Sequence, residues 1–283
     1  TYIKFDILSG SNVLYISDLN GENEQVLIKE SGLFQIINPV ISADGTKICF
    51  NGGNNRLLVY DLQKFSVNQI TSKLATNSIA TFSHDGKKLA YLENENNDKI
   101  KIKVIDATNI DVINTIFDNI FDGNINKVAN FNFVSWNNDN KTISFSYSFN
   151  GRDYIIIINI ETKKEISYDY ANSNIKIENP TVNFKKNIVV FKGIDGNIWA
   201  RNLDMNDNRL FQLTEAGIAE SYSIGGWSPD DKYFLTINSY SDLSNNEYND
   251  LLVIEIENKS GIPTTENLYL ISNDAKMGFW KTK

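Results

Sequence analysis

The segment Trp227-Ser228-Pro229-Asp230-Asp231-Lys232-Tyr233-Phe234-Leu235 decides the fold, because its pattern recurs along the chain. The pattern is an aromatic or aliphatic residue, a polar turn that contains Asp, and then an apolar strand. Other copies read Ile41-Ser42-Ala43-Asp44-Gly45-Thr46-Lys47-Ile48-Cys49-Phe50, Phe82-Ser83-His84-Asp85-Gly86-Lys87-Lys88-Leu89-Ala90-Tyr91 and Trp136-Asn137-Asn138-Asp139-Asn140-Lys141-Thr142-Ile143-Ser144-Phe145. A degenerate copy is Phe184-Lys185-Lys186-Asn187-Ile188-Val189-Val190-Phe191. Asp-Gly and Asn-rich turns tolerate the positive φ of tight hairpins, so each copy predicts a hairpin.

The spacing of these copies predicts the architecture. Their first residues stand at positions 41, 82, 136, 184 and 227, and a last marker stands at Trp280. Intervals of roughly 40–55 residues suit a blade of four strands in a β-propeller. A second hairpin follows each copy, for example in residues 57–71 and 198–214. The sequence therefore predicts an all-β, six-bladed β-propeller of four-stranded blades.

The two ends of the chain complement each other in this scheme. Residues 2–21 suit a blade that lacks its first strand, and Met277-Gly278-Phe279-Trp280-Lys281 suits a first strand that lacks its blade. Joining them leaves no unpaired sheet edge in the ring. We therefore expect the N- and C-terminal strands to close the ring in one blade, with residues 1–283 as a single domain.

The repeats resemble those of a known family. The stretch from Leu210-Phe211-Gln212-Leu213-Thr214 to Trp227-Ser228-Pro229-Asp230-Asp231-Lys232 looks like the WD-like repeat of TolB-type propellers. The resemblance extends over the whole chain and is weakest at the fourth copy, which lacks Asp-Gly. It concerns the propeller alone, without the α/β domain that precedes it in TolB. The repeats also resemble propellers attached to prolyl oligopeptidase-type hydrolases, again without the hydrolase domain.

Charge and hydropathy limit the partners. The net charge is −8 and the pI about 4.8, which disfavours binding to nucleic acid or to an anionic membrane surface. The longest apolar run, residues 154–158, is too short to span a bilayer. We expect a monomer located outside the cytoplasm, as a periplasmic, lipoprotein-anchored or secreted protein.

The residue types that usually carry catalysis are scarce. His84 is the only histidine, and it occupies the turn position that Pro229 holds in another copy. A triad with the adjacent Ser83 or Asp85 is disfavoured, because triads converge from separate loops. Cys49, the only cysteine, lies in an apolar run and is expected to be a buried, inert thiol.

Metal sites are disfavoured by the same scarcity. One His and one Cys do not make a zinc site. The segment from Asp204 to Arg209 partly matches a calcium loop, but Arg209 stands where such loops need Gly. We expect no catalytic residue, no cofactor and no metal.

Connectivity predicts which face is used. In a blade, the connections after strands two and four share one face, and here they include the long segments 117–130, 168–179, 215–222 and 239–250. Loops on a rigid scaffold are where binding residues concentrate. The candidate ligand-binding residues are Phe121, Asp122, Tyr168, Tyr170, Glu220, Tyr222, Tyr240 and Asp242. In the alternative interpretation, these aromatic residues pack the loops onto the scaffold.

Two functions follow from this surface. The first is a non-catalytic interaction module that binds a protein or peptide through the long-loop face, since exposed aromatic residues and acids suit such partners. The alternative is a cell-envelope protein that binds carbohydrate, or a glycan-active enzyme that uses a carboxylate pair.

Overall fold

The computed structural model describes residues 2–6, 11–16, 25–31, 34–75, 78–96, 99–121, 134–149, 152–170, 177–204, 209–217, 219–228, 230–242, 244 and 246–272. Within these ranges the regular secondary structure consists of β-strands. The chain divides into two compact units, Thr1–Ile120 and Phe121–Lys283.

The first unit contains three antiparallel sheets whose strands follow chain order. The first sheet is formed by β1 (Tyr2–Asp6), β2 (Ser11–Ile16) and β3 (Gln25–Lys29). The second is formed by β4 (Ile37–Ile41), β5 (Lys47–Asn51), β6 (Leu57–Asp61) and β7 (Ser66–Thr71). The third is formed by β8 (Thr81–Phe82), β9 (Lys88–Asn96), β10 (Lys99–Asp106) and β11 (Thr115–Phe121).

The second unit contains three further sheets of the same kind. The fourth sheet has β12 (Ser135–Trp136), β13 (Thr142–Phe149), β14 (Arg152–Asn159) and β15 (Glu165–Tyr170). The fifth has β16 (Glu178–Asn183), β17 (Ile188–Lys192), β18 (Ile198–Asn202) and β19 (Phe211–Gln212). The sixth has β20 (Glu220–Trp227), β21 (Tyr233–Ser241), β22 (Glu247–Lys259) and β23 (Ile262–Ser272).

These sheets confirm the prediction of a β-propeller of four-stranded blades. The described residues form five such blades rather than the six that were predicted. Five sheets have four strands, whereas the first has three in the described part of the chain. Among the described residues, no strand pairs with β1 on the side away from β2. The strand expected there, at residues 277–281, lies outside the described residues.

The strands bury both faces because neighbouring sheets pack against each other. In β17, Val189 and Phe191 pack against residues of the fourth sheet, including Ile155 and Ile157. The alternate residues of β17 face the sixth sheet instead and pack with Trp227, Phe234, Leu252 and Ile254. A strand covered on both sides reads as a continuous apolar run, which explains why alternation is weak in this sequence.

The repeated motif forms a hydrogen-bonded turn between the first two strands of a sheet. In the third sheet, the buried Ser83 hydroxyl donates to Asp85 Oδ1 (2.6 Å) and accepts the Lys88 N–H (3.0 Å). The second and sixth sheets repeat this arrangement around Ser42 and Ser228. In each of the five four-stranded sheets, one residue of this turn has a positive φ. These residues are Gly45, Gly86, Asn140, Asn187 and Asp231.

The strand pairing places Asn137 and Asn183 where the other copies carry Ser, because Val182 pairs with Val189 as Ile41 pairs with Ile48. The fourth copy therefore starts at Val182 rather than at Phe184, and in both copies the longer Asn side chain reaches the next sheet. Asn137 Oδ1 accepts the backbone N–H of Val182 in β16 (3.0 Å). Asn183 Nδ2 donates to the carbonyl oxygen of Asp231 in the turn of the sixth sheet (3.2 Å). Both asparagines are buried. The two copies with Asn at this position therefore connect neighbouring sheets.

The turn carboxylates make stability depend on pH. Burial alone would raise the pKa of Asp85, but hydrogen bonds from Ser83 and from the Lys87 N–H outweigh it and hold the pKa below its ordinary value of 3.8. The pKa values of Asp44 and Asp230 are lowered in the same way, by the serine and a following backbone N–H of each turn.

We predict that this stabilisation is complete above about pH 5 and is lost as the pH falls through the folded-state pKa values, because the unfolded chain binds protons more readily there. Urea unfolding at about pH 6 and about pH 3 measures it. The isosteric Asp85→Asn variant should lose less stability on acidification than the parent. Equal losses in the two proteins would contradict this assignment.

Candidate functional site

Among the hairpins that join strands two and three in the second unit, the one in the sixth sheet has the longest ladder. The β21–β22 ladder runs from Tyr233↔Glu255 to Ser241↔Glu247, which is nine residue pairs. The β17–β18 ladder of the fifth sheet has five pairs, from Ile188↔Asn202 to Lys192↔Ile198. The four extra pairs lie at the end of the sheet where strand two connects to strand three, which is the end predicted to carry the binding residues.

Each long segment predicted as an irregular loop includes residues that belong to a strand. In the segment 239–250, β21 continues to Ser241 and β22 begins at Glu247. The segments 117–130, 168–179 and 215–222 likewise include parts of β11, β15, β16 and β20. For these strand residues the prediction of irregular structure was wrong, because cross-strand pairing continues further than expected.

Four side chains at this end share one face of the sheet. The register places Glu220 opposite Tyr240 and Tyr240 opposite Tyr248. In the next row Asp250 lies opposite Asn238. Opposite residues of antiparallel strands, and residues two positions apart, project to the same side. We call Glu220, Tyr240, Tyr248 and Asp250 the tyrosine–carboxylate patch.

The two tyrosines of the patch form a stacked pair. Their ring centroids are 5.4 Å apart and the ring planes differ by 21°. Both side chains are partly exposed. Such a pair gives a rigid surface with an apolar face at little cost in side-chain entropy.

Asp242 organises the loop beside the patch. Its carboxylate accepts the N–H groups of Ser244 (2.8 Å) and Asn246 (2.9 Å), the Asn246 amide (2.8 Å) and the Tyr248 hydroxyl (3.2 Å). These hydrogen bonds, the one from the Asn246 side chain above all, hold the pKa of Asp242 below its ordinary value. The geometry gives Asp242 a role in positioning Tyr248.

Glu220 is positioned by a short turn of the fifth sheet. Tyr222 N–H donates to the carbonyl oxygen of Gly196 (2.7 Å), which fixes the start of β20 against the β17–β18 turn. One Glu220 carboxylate oxygen accepts the N–H of Gly217 (2.8 Å). A Cβ at position 196 would lie 2.9 Å from the Glu220 carbonyl oxygen, so glycine is required for this close approach.

The predicted binding residues separate into three groups. Glu220, Tyr240 and Asp242 lie together at the end of the sixth sheet. Tyr168 and Tyr222 are buried, and the Tyr168 hydroxyl donates to the carbonyl oxygen of Leu203 (3.1 Å), so these two pack the scaffold as in the alternative interpretation. Phe121 and Tyr170 end β11 and β15 without described side chains, and Asp122 lies outside the described residues.

Tyr248 and Asp250 were not among the predicted candidates. The hairpin register would have indicated them, because a turn centred near residue 244 pairs position 240 with position 248. The irregular-loop interpretation of residues 239–250 concealed this pairing.

The residues considered for catalysis lie in a hydrogen-bonded turn or in the core. His84 lies in the turn between β8 and β9, and the neighbouring Ser83 hydroxyl bonds to Asp85 within that turn. Cys49 is buried, which confirms that prediction, and burial raises the pKa of its thiol. Of the calcium-like segment, Asp204 and Arg209 are described and residues 205–208 are not.

The described residues contain no group of three or more His, Cys, Asp or Glu side chains placed to hold a metal ion. In the same part of the chain, no helix has the length and apolar character needed to cross a membrane.

Comparisons with known proteins give similarity at the level of structure. No family model matches the sequence, and no curated protein matches it. A putative TolB from Agrobacterium tumefaciens aligns with a TM-score of 0.59 and 14% identity over 92% of this chain and 88% of its own. TolB from Acinetobacter baumannii gives 0.60 and 16% over 99% of this chain, which spans 64% of that protein. Oligogalacturonate lyase from Vibrio parahaemolyticus gives 0.59 and 14%, with 95% and 72% covered.

The sheets and these alignments define the class of protein as an all-β β-propeller of four-stranded blades. Within that class, the chain has the fold of TolB-like propellers, and the similarity is to the propeller.

We predict that Gly196→Ala destabilises the protein more than Gly86→Ala. Both glycines have positive φ, of 80° and 70°, so both alanine variants carry the backbone strain of that region, on the order of 1 kcal/mol. Only position 196 adds a contact under 3.0 Å with backbone, since the atoms nearest to a Cβ at position 86 are 3.6 Å away. Chemical denaturation of both variants measures the difference. Equal destabilisation would show that the close approach to β20 has no energetic role.

Proposed function

We propose that this protein is a non-catalytic interaction module. It binds a protein or peptide partner through the face predicted to carry the long loops, at the end of the sixth sheet where the tyrosine–carboxylate patch lies. The observation that carries the proposal is the stacked, partly exposed Tyr240–Tyr248 pair with carboxylates beside it on one sheet face. Rigid aromatic anchors with polar groups around them are typical of binding hot spots. The neighbouring sheets supply the rigid scaffold, because their buried residues fix the strands on both sides.

The residues predicted from the sequence enter this proposal with different roles. Glu220 and Tyr240 contact the partner, and Asp242 holds the loop that carries Tyr248. Tyr168 and Tyr222 support the face from below. Phe121, Asp122 and Tyr170 remain proposed contributors from the neighbouring strand ends.

The test is capture of a partner from an extract of the native organism. We predict that Tyr240→Ala combined with Tyr248→Ala lowers capture at least about tenfold, as expected for loss of two central aromatic anchors. The control is Phe65→Ala, which removes an aromatic side chain that is 77% exposed in the turn between β6 and β7. Full capture by the double variant, or equal loss in the control, would contradict the proposed face.

A second candidate function is carbohydrate binding in the cell envelope, or action on a glycan through carboxylates. It is favoured by the fold shared with an oligogalacturonate lyase and by the stacked tyrosines, because sugar rings also pack on aromatic faces. A glycan array separates the two functions, since binding to a glycan that the double tyrosine variant loses would favour the second.

We also propose that the chain forms one domain whose ring is closed by its two ends, with Met277-Gly278-Phe279-Trp280-Lys281 pairing beside β1. The support is the repeat at Trp280 and the three-stranded first sheet. Removing residues 273–283 should lower the free energy of unfolding by several kcal/mol, because it leaves a sheet edge and its apolar residues uncovered. Thermal unfolding measures this, and unchanged stability would rule out closure by this segment.

The proposed setting is outside the cytoplasm. It is supported by the TolB-like fold. Fractionation of the native cells tests the location.

A further inference from the structure

We propose that the tyrosine–carboxylate patch binds an arginine side chain of an extended partner peptide. This inference rests on the proposed function and adds the chemistry that the partner must present. It follows from the hydrogen-bonding capacity, the aromatic surface and the charge of the patch.

The patch has an excess of acceptors. Glu220 receives one hydrogen bond, from the Gly217 N–H, and no cation of the described residues lies within ion-pair distance of Glu220 or Asp250. The Asn238 Oδ1 atom, opposite Asp250, is buried and has no hydrogen-bond partner in the described part of the chain. A ligand that only donates hydrogen bonds complements such a surface.

Two other carboxylates of the same sheet differ in this respect. Glu255 is paired with Lys232 (3.0 Å) and also accepts from the Asn267 amide (2.7 Å). Glu266 is paired with Lys259 (2.8 Å). Lysines thus neutralise Glu255 and Glu266. The two carboxylates of the patch, Glu220 and Asp250, have no such partner among the described residues.

The stacked tyrosines select the shape of the cation. A planar guanidinium lies flat on an aromatic ring while its edge donates to carboxylates, whereas a lysine ammonium is a point charge. The chain already contains this type of contact, with Arg201 over the Tyr168 ring (5.5 Å) and Arg209 over the Phe211 ring (5.4 Å). Tyr240 and Tyr248 offer a similar surface beside Glu220 and Asp250.

The charge of the whole chain favours the same ligand. A net charge of −8 attracts a basic peptide and speeds its encounter with the protein. A metal ion is a poorer fit, because the described residues place no three acidic, His or Cys side chains together and the centre of the patch is aromatic.

The experiment measures binding of a fluorescein-labelled peptide of alternating Gly and Arg to the full chain by fluorescence anisotropy. A citrulline peptide keeps the shape without the charge, and a lysine peptide keeps the charge without the planar fork. We expect the arginine peptide to bind most tightly and the citrulline peptide to bind at least about tenfold more weakly.

The matched variants separate this site from general attraction. Glu220→Gln with Asp250→Asn should weaken arginine-peptide binding at least about tenfold. Glu161→Gln with Glu165→Gln changes the net charge equally, at exposed positions next to the β14–β15 turn, and should leave binding nearly unchanged. Circular dichroism establishes that each variant is folded, and Asp250→Asn alone serves if the double variant is not.

Several results would overturn the inference: equal binding of the citrulline or lysine peptide, equal weakening by the two double variants, or no binding of the arginine peptide. If the arginine peptide fails while the tyrosine pair is still needed to capture a partner, the inference falls and the proposed function stands. If neither holds, both fall.

Discussion

The hydrogen-bonded turn between the first two strands of each four-stranded sheet is the constraint on which the remaining structure depends. It buries a polar side chain, Ser42, Ser83, Asn137, Asn183 or Ser228, at the point where the chain reverses. A buried polar group is costly unless it is hydrogen-bonded, so this position tolerates few residue types. The Asp of each serine turn then accepts the hydroxyl and a backbone N–H, which fixes the register of the strands that follow.

The same position also determines how neighbouring sheets meet. Serine closes its own turn, whereas Asn137 and Asn183 extend to the adjacent sheet and bond to its backbone. Both asparagines keep hydrogen bonds within their own sheet, so the longer side chain adds a connection between sheets to the local ones. With the alternating burial of strands such as β17, these contacts give the second unit a scaffold on which the position of the long hairpin is set.

The candidate site depends on the difference in hairpin length between neighbouring sheets. The β21–β22 ladder continues for four residue pairs beyond the length of the β17–β18 ladder, and its last rows carry tyrosines and carboxylates. Asp242 closes the loop, Gly196 permits the close approach of β20, and the stacked tyrosines lie between them.

The sequence alone determined the strand-rich class, the four-stranded repeat and the positions of the turns, because turn chemistry is local and recurs at Ser-x-Asp and Asp-Gly. It also placed Glu220 and Tyr240 at the same end of a blade, since connectivity places the connections after strands two and four on one face. Only the tertiary structure decided that Tyr168 and Tyr222 are buried, that Asp242 serves the loop, and that Tyr248 and Asp250 complete the patch. The reason is that burial and cross-strand register depend on how far a hairpin extends past its neighbour, and this length is not encoded in any local pattern.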